Sequence, residues 1–336
     1  MLISALFAPG AGRSERFLEL GQTLLRRSGG HSLVACPGNL GGDYLPGARL
    51  LEPLAQAANY VESIRVATLA LMDEHPDILV CVGGDGLASY VADTVRGSMG
   101  EGGKLSDCAL LGVAAGTINV GPIVTLGPEG LEDLDLSRLV IAPVGAVEAR
   151  VDGRHLAWGF NDIVIGTTFL GTVDGELACL SAEAMVLHGM KVVEEPQDEM
   201  TTEAFRVLKD GVVMEGGLRR PAQIVASPLA RREFYARAVT GVLCEAGWKD
   251  DLAALALLDS VLVKTGALSS GEHGFARVDH LLFSPGEAMA VEGLSPKAYL
   301  MADGNPHELG GGRLELFRVA RVVNVARVGS CPTGRA

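Results

Sequence analysis

The chain has 336 residues, of which 48% are hydrophobic and 21% are charged. This balance is typical of globular proteins and excludes a disordered chain, a collagen-like chain and a disulfide-stapled miniprotein. At roughly 100–200 residues per domain, the length predicts two domains. The formal net charge of −13 argues against nucleic acid as a partner, because binding to a phosphate backbone requires clustered Lys and Arg. A small anionic ligand is compatible with this charge, since one loop of backbone N–H groups can bind it.

The N-terminus and the cysteines favour a cytoplasmic protein without a membrane partner. The first apolar run is followed, not preceded, by basic residues, which is the reverse of a secretory signal. The uncharged stretch between Asp107 and Glu129 contains several glycines, which favour a strand and a loop over a spanning helix. The cysteines show neither a CxxC pair nor zinc spacing, so we interpret them as small core residues in a reduced compartment. They are Cys36, Cys81, Cys108, Cys179, Cys244 and Cys331.

Residues 1–142 alternate short apolar runs with runs of helical spacing. Strands that are apolar on both faces, separated by helices, predict an α/β domain with a parallel sheet covered on both sides. Ser14 is expected to cap the first helix. The predicted strands are 2–7, 31–36, 77–83 and 109–115, and the later predicted helices are 60–72 and 88–96.

Residues 143–336 have a different rhythm, which predicts a mainly antiparallel β domain with the character of a sandwich. Alternating runs on both sides of Asp152-Gly153 and of Asp210-Gly211 predict hairpins. We expect the last strands to pack back on the first domain. Helices are expected at 230–238 and 249–258, and further strands at 260–266, 279–285, 288–293, 297–304 and 313–328.

The sharpest motif is Gly83-Gly84-Asp85-Gly86, between an apolar strand and a helix. Glycines let the backbone approach a phosphate closely, and the helix N-terminus supplies N–H groups and a positive dipole end. A carboxylate at this position suggests a function: it takes a proton from a hydroxyl that attacks phosphorus, or it holds a divalent metal. The alternative is a tight turn in which Asp85 caps the helix.

Two further polar loops follow neighbouring strands. Gly116, Thr117 and Asn119 come after the strand at 109–115, so a hydroxyl and an amide are expected at the same sheet edge as Asp85. Two adjacent loops of this kind predict a pocket. The loop after the first strand contains Gly10, Gly12 and Arg13, and it adds a guanidinium near a helix start. A plain turn is the alternative for that loop.

These residues resemble the NAD kinase and diacylglycerol kinase superfamily. The resemblance rests on GGDG after a hydrophobic strand, a GTxN loop one βα unit later, and Phe160-Asn161-Asp162 near the start of the β-rich domain. The first turn and the TTFLG run at 167–171 are most similar to the ATP-NAD kinase-like branch, which includes the acetoin-catabolism protein X group. The resemblance extends from the first strand to Ala302-Asp303-Gly304.

The resemblance implies a two-domain kinase with its site in the cleft between the domains. It implies ATP and Mg²⁺ as cofactors, NAD as the leading acceptor and a homodimer or homotetramer, and it assigns no protein ligand to the metal. The implied roles are Asp85 as general base, Gly83, Gly84 and Gly86 as phosphate contacts, Thr117 and Asn119 in the lining of the nucleotide site, and Asn161 and Asp162 as ribose contacts.

Two departures from the family pattern leave alternatives open. Leu87 stands where the family commonly has Thr, which removes a hydroxyl contact to phosphate, and residues 185–218 do not follow the pattern. One alternative is a non-catalytic NAD- or ATP-binding sensor, or an accessory protein of a catabolic pathway such as acetoin breakdown. Another is a lipid kinase, which the acidic charge disfavours. His307, in a glycine-rich loop beside Asp303, is a weaker catalytic candidate.

Overall fold

The computed structural model describes residues 1–9, 13–100, 104–115, 119, 121–173, 176–195, 199–217, 219–229, 252–259 and 277–328. The chain forms two compact units. The first unit contains Met1–Gly145 and the chain from Arg321 onwards, and the second contains Ala146–Ala320.

The first unit is a parallel sheet with helices on both faces. Its strands are β1 (Leu2–Phe7), β2 (Ser32–Ala35), β3 (Arg49–Leu50), β4 (Ile78–Gly83), β5 (Ala109–Ala114) and β6 (Val124–Leu126). Its helices are α1 (Phe17–Arg27), α2 (Tyr60–Met72), α3 (Asp85–Ser98) and α4 (Pro128–Glu132), and short 3-10 turns occupy Ser14–Arg16, Gly38–Leu40, Gly42–Tyr44 and Leu136–Arg138. The strand order is β3-β2-β1-β4-β5, and β5 also pairs with β6.

The central strands are buried because helices cover both sheet faces. Every residue of β4 is buried, as the near-continuous apolar run predicted. Val80 and Val82 share a core with Phe17 and Leu24 of α1 on one face. The pairs β1–β2, β1–β4 and β4–β5 are all parallel, so the predicted parallel α/β sheet is confirmed.

The second unit is built from antiparallel strands. They are β7 (Leu139–Val151, which starts in the first unit), β8 (Arg154–Gly159), β9 (Ile163–Gly166), β10 (Thr168–Val173), β11 (Glu176–Ser181), β12 (Thr201–Lys209), β13 (Val212–Val213), β14 (Gln223–Pro228), β15 (Ala253–Leu258), β16 (Val278–Phe283), β17 (Ala288–Leu294), β18 (Tyr299–Ala302), β19 (Asn305–Glu308) and β20 (Leu314–Val328, which ends in the first unit). Among the described residues of this unit, helix α5 covers Ala182–His188. Six strands form a sheet in the order β16-β15-β14-β9-β18-β19, and β12, β17 and β20 are adjacent in another sheet.

Side chains from both of these sheets fill one core. Ile163 and Leu255 of the six-stranded sheet pack in the same cluster as Met289 and Leu316 of the other. This packing confirms the mainly antiparallel second half. The predicted hairpins are also confirmed: Asp152 and Asp210 each have a φ of 49°, and the following glycines also have positive φ, the combination that a two-residue hairpin turn requires.

The predicted helix at 249–258 is wrong. Its described part from Ala253 to Leu258 is the strand β15, buried throughout and paired with β14 on one side and β16 on the other. Alanine and leucine favour helix locally, but pairing on both edges in a buried sheet overrides that preference. The helix expected at 230–238 and the strand expected at 260–266 lie outside the described residues.

Two helix starts also differ from the prediction. Ser14 begins a 3-10 turn, and neither that turn nor α1 has a side-chain cap, so the proposed Ser14 cap is wrong. Helix α3 begins at Asp85 rather than at Ala88, directly after the glycine motif.

The described cysteines are core residues. Cys36, Cys81, Cys108 and Cys179 are free and buried, and burial raises the pKa of Cys36 and of Cys108 to about 12. Such thiols are poor nucleophiles, as expected for packing residues. Cys244 and Cys331 lie outside the described residues. Within the described residues, no helix has the length and hydrophobicity needed to cross a membrane.

Close packing at Gly112 gives a test of this fold. A Cβ at Gly112 would lie 2.5 Å from the carbonyl oxygen of Ile123, which precedes β6, and 2.6 Å from the Cα of Val124, the first residue of β6. Both are backbone atoms. We expect Gly112→Ala to lower the free energy of unfolding by about 1–3 kcal/mol, measured by urea denaturation. Gly97→Ala is the control, because no atom lies within 4 Å of its added Cβ. We expect this helix substitution to stabilise by about 0.5–1 kcal/mol. Equal effects of the two substitutions would contradict the packing at Gly112.

Candidate functional site

The loops after β1, β4 and β5 meet at one edge of the first unit's sheet. Ala8 N–H donates to the Val82 carbonyl at 3.0 Å, and Ala115 N–H donates to the Gly83 carbonyl at 2.8 Å. Arg13 N–H donates to the Ala115 carbonyl at 3.0 Å, so the first loop crosses to the end of β5. This is the carboxyl edge of the parallel strands, where open α/β sheets bind ligands. The Arg13 side chain is exposed at this edge.

Asp85 is the first residue of α3 and not its cap. The cap position belongs to Gly84, which has no side chain to cap the helix. The Asp85 Oδ2 accepts a hydrogen bond of 2.9 Å from the Gly121 N–H, on the loop that follows β5. A carboxylate in the first turn of a helix is stabilised by the positive end of the helix dipole. The capping interpretation of Asp85 is therefore wrong, and the carboxylate instead links two loops of the edge.

Two glycines allow close contacts around this carboxylate. A Cβ at Gly121 would lie 2.8 Å from the Asp85 Oδ1, so only glycine lets this backbone approach the carboxylate without displacing it. A Cβ at Gly83 would lie 2.8 Å from the Leu87 Cδ2 and 3.0 Å from the Ala8 Cβ. Leu87 is buried, 4% exposed, and its side chain occupies the space over Gly83. The residue that departs from the family pattern is thus a packing residue.

The other predicted residues of this edge are only partly described. Gly84, Gly86 and Asn119 are half-buried beside Asp85 and Gly121 in the chain. Neither Gly84 nor Gly86 has a positive φ, so a left-handed backbone conformation is not the reason for glycine at these positions. The predicted site residues Gly10, Gly12, Gly116 and Thr117 lie outside the described residues.

The second unit holds the predicted pair Asn161-Asp162 by means of a buried acid, Asp303. The Asp303 Oδ2 accepts from the Phe160 N–H at 2.8 Å, and its Oδ1 accepts from the N–H groups of Asn161 and Asp162 at 2.8 and 3.0 Å. Asp303 is 8% exposed. Three backbone donors directed at one buried carboxylate fix the loop between β8 and β9.

Side-chain contacts orient the pair further. The Asn161 Nδ2 donates to the Asp162 Oδ2 at 2.9 Å, and the Ser227 hydroxyl donates to the Asn161 carbonyl at 2.7 Å. Asn161 is buried and Asp162 is half-buried. Asp303 itself occupies a left-handed turn, with a φ of 49°, in the β18–β19 hairpin. Sequence reasoning noted Asp303 as a neighbour of His307 and as part of the Ala302-Asp303-Gly304 stretch, but it gave Asp303 no role at the site.

A second buried acid in this unit was missed by sequence reasoning. Glu148 is 5% exposed, and its two carboxylate oxygens contact His155 Nδ1 at 2.9 Å and Arg150 Nη2 at 3.0 Å. Burial acts to raise the pKa of Glu148, but the hydrogen bonds with His155 and Arg150 outweigh it and hold the pKa below its usual value. The cluster satisfies its own charges, which indicates a structural role.

A cavity of about 1070 Å³ also lies in the second unit. Its apolar wall comes from β12, β15 and β16, and its rim carries charged side chains. Part of its lining comes from residues 202–217, within the stretch that does not follow the family pattern. None of the predicted site residues that the structure describes lines this cavity. Among the described residues, no three His, Cys, Asp or Glu side chains converge in a way that could hold a metal ion.

Comparison with known protein sequences gives a match over part of the chain. No family model matches the sequence. An uncharacterized protein of Archaeoglobus fulgidus is 29% identical over 166 residues, which make up 47% of this chain and 49% of that protein. The chain thus spans about half the length of the curated relative that it matches.

Two solved structures share the fold over nearly the whole chain. Yeast NADH kinase complexed with NADH superimposes with a TM-score of 0.53 at 12% identity, covering 99% of this chain and 84% of that chain. A diacylglycerol kinase from Bacillus anthracis str. Sterne superimposes with a TM-score of 0.50 at 10% identity, covering 96% and 95%. The fold class expected from the resemblance, an α/β first domain followed by an antiparallel β domain of the NAD kinase and diacylglycerol kinase type, is therefore confirmed.

Proposed function

We propose that this protein is a small-molecule kinase, which transfers a phosphoryl group from ATP to a hydroxyl of a nucleotide-type acceptor. The observation that carries the proposal is the Asp85 carboxylate, held at the N-terminus of α3 by the Gly121 N–H at 2.9 Å. The acceptor that we favour is NAD. This choice comes from the resemblance in sequence. The structural neighbours do not decide between acceptors, because one is an NADH kinase and the other is a diacylglycerol kinase.

The role of Asp85 in this proposal is to orient and deprotonate the acceptor hydroxyl. A carboxylate fixed by a backbone donor loses little freedom when the acceptor arrives, and it accepts the hydroxyl proton as the oxygen attacks phosphorus. Phosphoryl transfer requires mainly positioning of the reactants and stabilisation of charge. One carboxylate in a fixed position is therefore sufficient to activate the acceptor hydroxyl.

The phosphates of ATP bind, in this proposal, at the start of α3. The first N–H groups of a helix have no partner within the helix and point along its axis, together with the positive dipole end. Gly84 and Gly86, both half-buried, flank Asp85 there and place no side chain over the backbone. Leu87 adds no hydroxyl, so the site relies on backbone donors for the contact that threonine makes in the family.

In the second unit, Asn161 and Asp162 are the proposed ribose contacts. Both backbone N–H groups are taken by Asp303, so the pair presents a fixed backbone, and the Asn161–Asp162 hydrogen bond sets their side chains. Carboxylate and amide oxygens accept hydrogen bonds from the vicinal hydroxyls of a ribose. With these roles, the acceptor in this proposal is a nucleotide and not a lipid.

Magnesium is proposed to enter with the nucleotide. The described residues contain no protein cluster of metal ligands, whereas Mg²⁺ in kinases is commonly held by substrate phosphates and one or two carboxylates. Asp85 is the carboxylate at the phosphate edge that could contribute. The ion would neutralise charge on the transferred phosphoryl group.

The principal alternative is a nucleotide-binding protein without turnover, such as a sensor or an accessory protein of acetoin breakdown. The buried Leu87, where the family has a hydroxyl, is the observation that favours it. The resemblance to the acetoin-catabolism protein X group stays a prediction from the sequence.

We expect Asp85→Asn to lower the rate of phosphoryl transfer by about 100-fold or more, with the dissociation constant for ATP changed only a few-fold. Asn keeps an acceptor oxygen for the Gly121 N–H but cannot take a proton. The assay uses ATP, Mg²⁺ and a panel of NAD, NADH and diacylglycerol, with exposed Asp133→Asn as control. Turnover by Asp85→Asn at the wild-type rate would contradict the proposal, and nucleotide binding without turnover on any acceptor would favour the sensor.

Gly121→Ala tests the same carboxylate from its other side. The added Cβ meets the end of the Asp85 side chain, which can rotate away, so we expect the free energy of unfolding to change by less than about 1 kcal/mol. Phosphoryl transfer should fall at least about 10-fold, because a displaced carboxylate no longer meets the acceptor. The control is Gly130→Ala, where the added Cβ makes only an ordinary contact of 3.4 Å. An active Gly121→Ala enzyme would show that the position of Asp85 is unimportant.

Asp303→Asn tests the loop of the second unit. The substituted amide cannot accept from all three N–H groups, so we expect a loss of about 1–3 kcal/mol in the free energy of unfolding and weaker nucleotide binding. Asp152→Asn is a matched control, since Asp152 has the same φ of 49° in an Asp-Gly hairpin but bonds at an exposed position. We expect that control within about 0.5 kcal/mol of wild type, with unchanged binding. Unchanged nucleotide binding by folded Asp303→Asn would argue against the ribose contacts.

A further inference from the structure

Arg327 comes from the far end of the chain and contacts the loop that follows β5. It lies near the end of β20, two residues after Val325, which pairs in parallel with Leu110 of β5. The Thr125 hydroxyl donates to the Ala326 carbonyl at 3.2 Å and ties this part of β20 to β6. Ala326 packs in the core on the α1 face of the sheet, and side chains alternate along a strand. Arg327 therefore projects from the opposite face, against which α3 packs through Leu87.

The guanidinium of Arg327 and the carboxylate of Asp85 form hydrogen bonds with two adjacent residues of one loop. Its Nη2 donates to the Pro122 carbonyl at 3.0 Å. Pro122 directly follows Gly121, whose N–H donates to the Asp85 Oδ2 at 2.9 Å. The Gly121-Pro122 dipeptide thus contacts the Asp85 carboxylate through the Gly121 N–H and the Arg327 guanidinium through the Pro122 carbonyl.

The positive charge of Arg327 is poorly compensated. Its Nε and Nη1 are buried, and no acceptor among the described residues forms a hydrogen bond with them. Among the ion pairs of the described residues, none involves Arg327. An arginine stays protonated, so a dehydrated guanidinium without a carboxylate is unfavourable until an anion approaches. Phosphate oxygens match the geometry of a guanidinium better than those of most other anions.

We infer that Arg327 supplies the positive charge against which the phosphates of the nucleotide bind at the edge that holds Asp85. The inference rests on the proposed function for the identity of the ligand as a nucleoside polyphosphate. It explains how a chain with a net charge of −13 attracts a polyanion to that edge.

The test is a series of binding measurements by calorimetry, with adenosine, AMP, ADP, ATP and inorganic tripolyphosphate as probes. We expect Arg327→Met to raise the dissociation constants for ATP and tripolyphosphate by roughly 10- to 100-fold and to leave adenosine within 2-fold, because only phosphate charge is affected. Arg327→Lys keeps a charge and should lose less affinity for ATP than Arg327→Met. The control Arg321→Met removes the same charge from an exposed position on the same strand and should bind like wild type. Thermal unfolding checks that each variant folds. If Arg327→Met does not fold, the binding of ATP and adenosine is compared between Arg327→Lys and the wild-type protein instead.

Each outcome separates the inference from the proposed function. Equal weakening of adenosine and ATP would show that Arg327 only shapes the loop, and unchanged ATP binding would show that it has no role; either result overturns the inference. Wild-type binding of tripolyphosphate that depends on Arg327, without binding of any nucleotide, would support the anion site and defeat the proposed function. Failure of the wild-type protein to bind tripolyphosphate and nucleotides alike would overturn both.

Discussion

The hydrogen bond from the Gly121 N–H to the Asp85 carboxylate is the interaction on which the candidate site depends. An acid beside bound phosphates is repelled by them, so it needs favourable contacts that hold it in place. The backbone donor and the positive end of α3 provide those contacts. Gly121 permits the short approach, and Leu87 packs over Gly83 to fix the start of the helix. The result is a carboxylate held at the N-terminus of α3, where we propose that the phosphates of the nucleotide bind.

The second unit also depends on hydrogen bonds from backbone N–H groups to a carboxylate, but there the carboxylate is not the proposed ligand-binding group. There the buried acid, Asp303, is the anchor, and the N–H groups of three successive residues bind to it. The residues proposed to meet ligand, Asn161 and Asp162, are held by their backbones and keep their side chains for recognition. In both units a carboxylate is positioned by main-chain donors, which lose little conformational entropy when a ligand binds.

The local parts of this account could be predicted from the sequence, and the long-range parts could not. The strand before Gly83 and the Asp-Gly hairpins are encoded by short patterns, so they were predicted correctly. The strand β15 was not, because Ala and Leu favour helix and only pairing with β14 and β16 decides otherwise. Asp303 meets Asn161 across 142 residues, and Arg327 meets Pro122 across 205, which no spacing rule reveals. The inward orientation of Leu87 likewise depends on packing against Gly83.

The most direct test of the central claim is a crystal structure with a non-hydrolysable ATP analogue and NAD bound together. The account predicts the analogue's phosphates at the N-terminus of α3 and an acceptor hydroxyl about 2.6–3.2 Å from an Asp85 carboxylate oxygen. A nucleotide bound away from this sheet edge, with Asp85 contacting only protein, would contradict it.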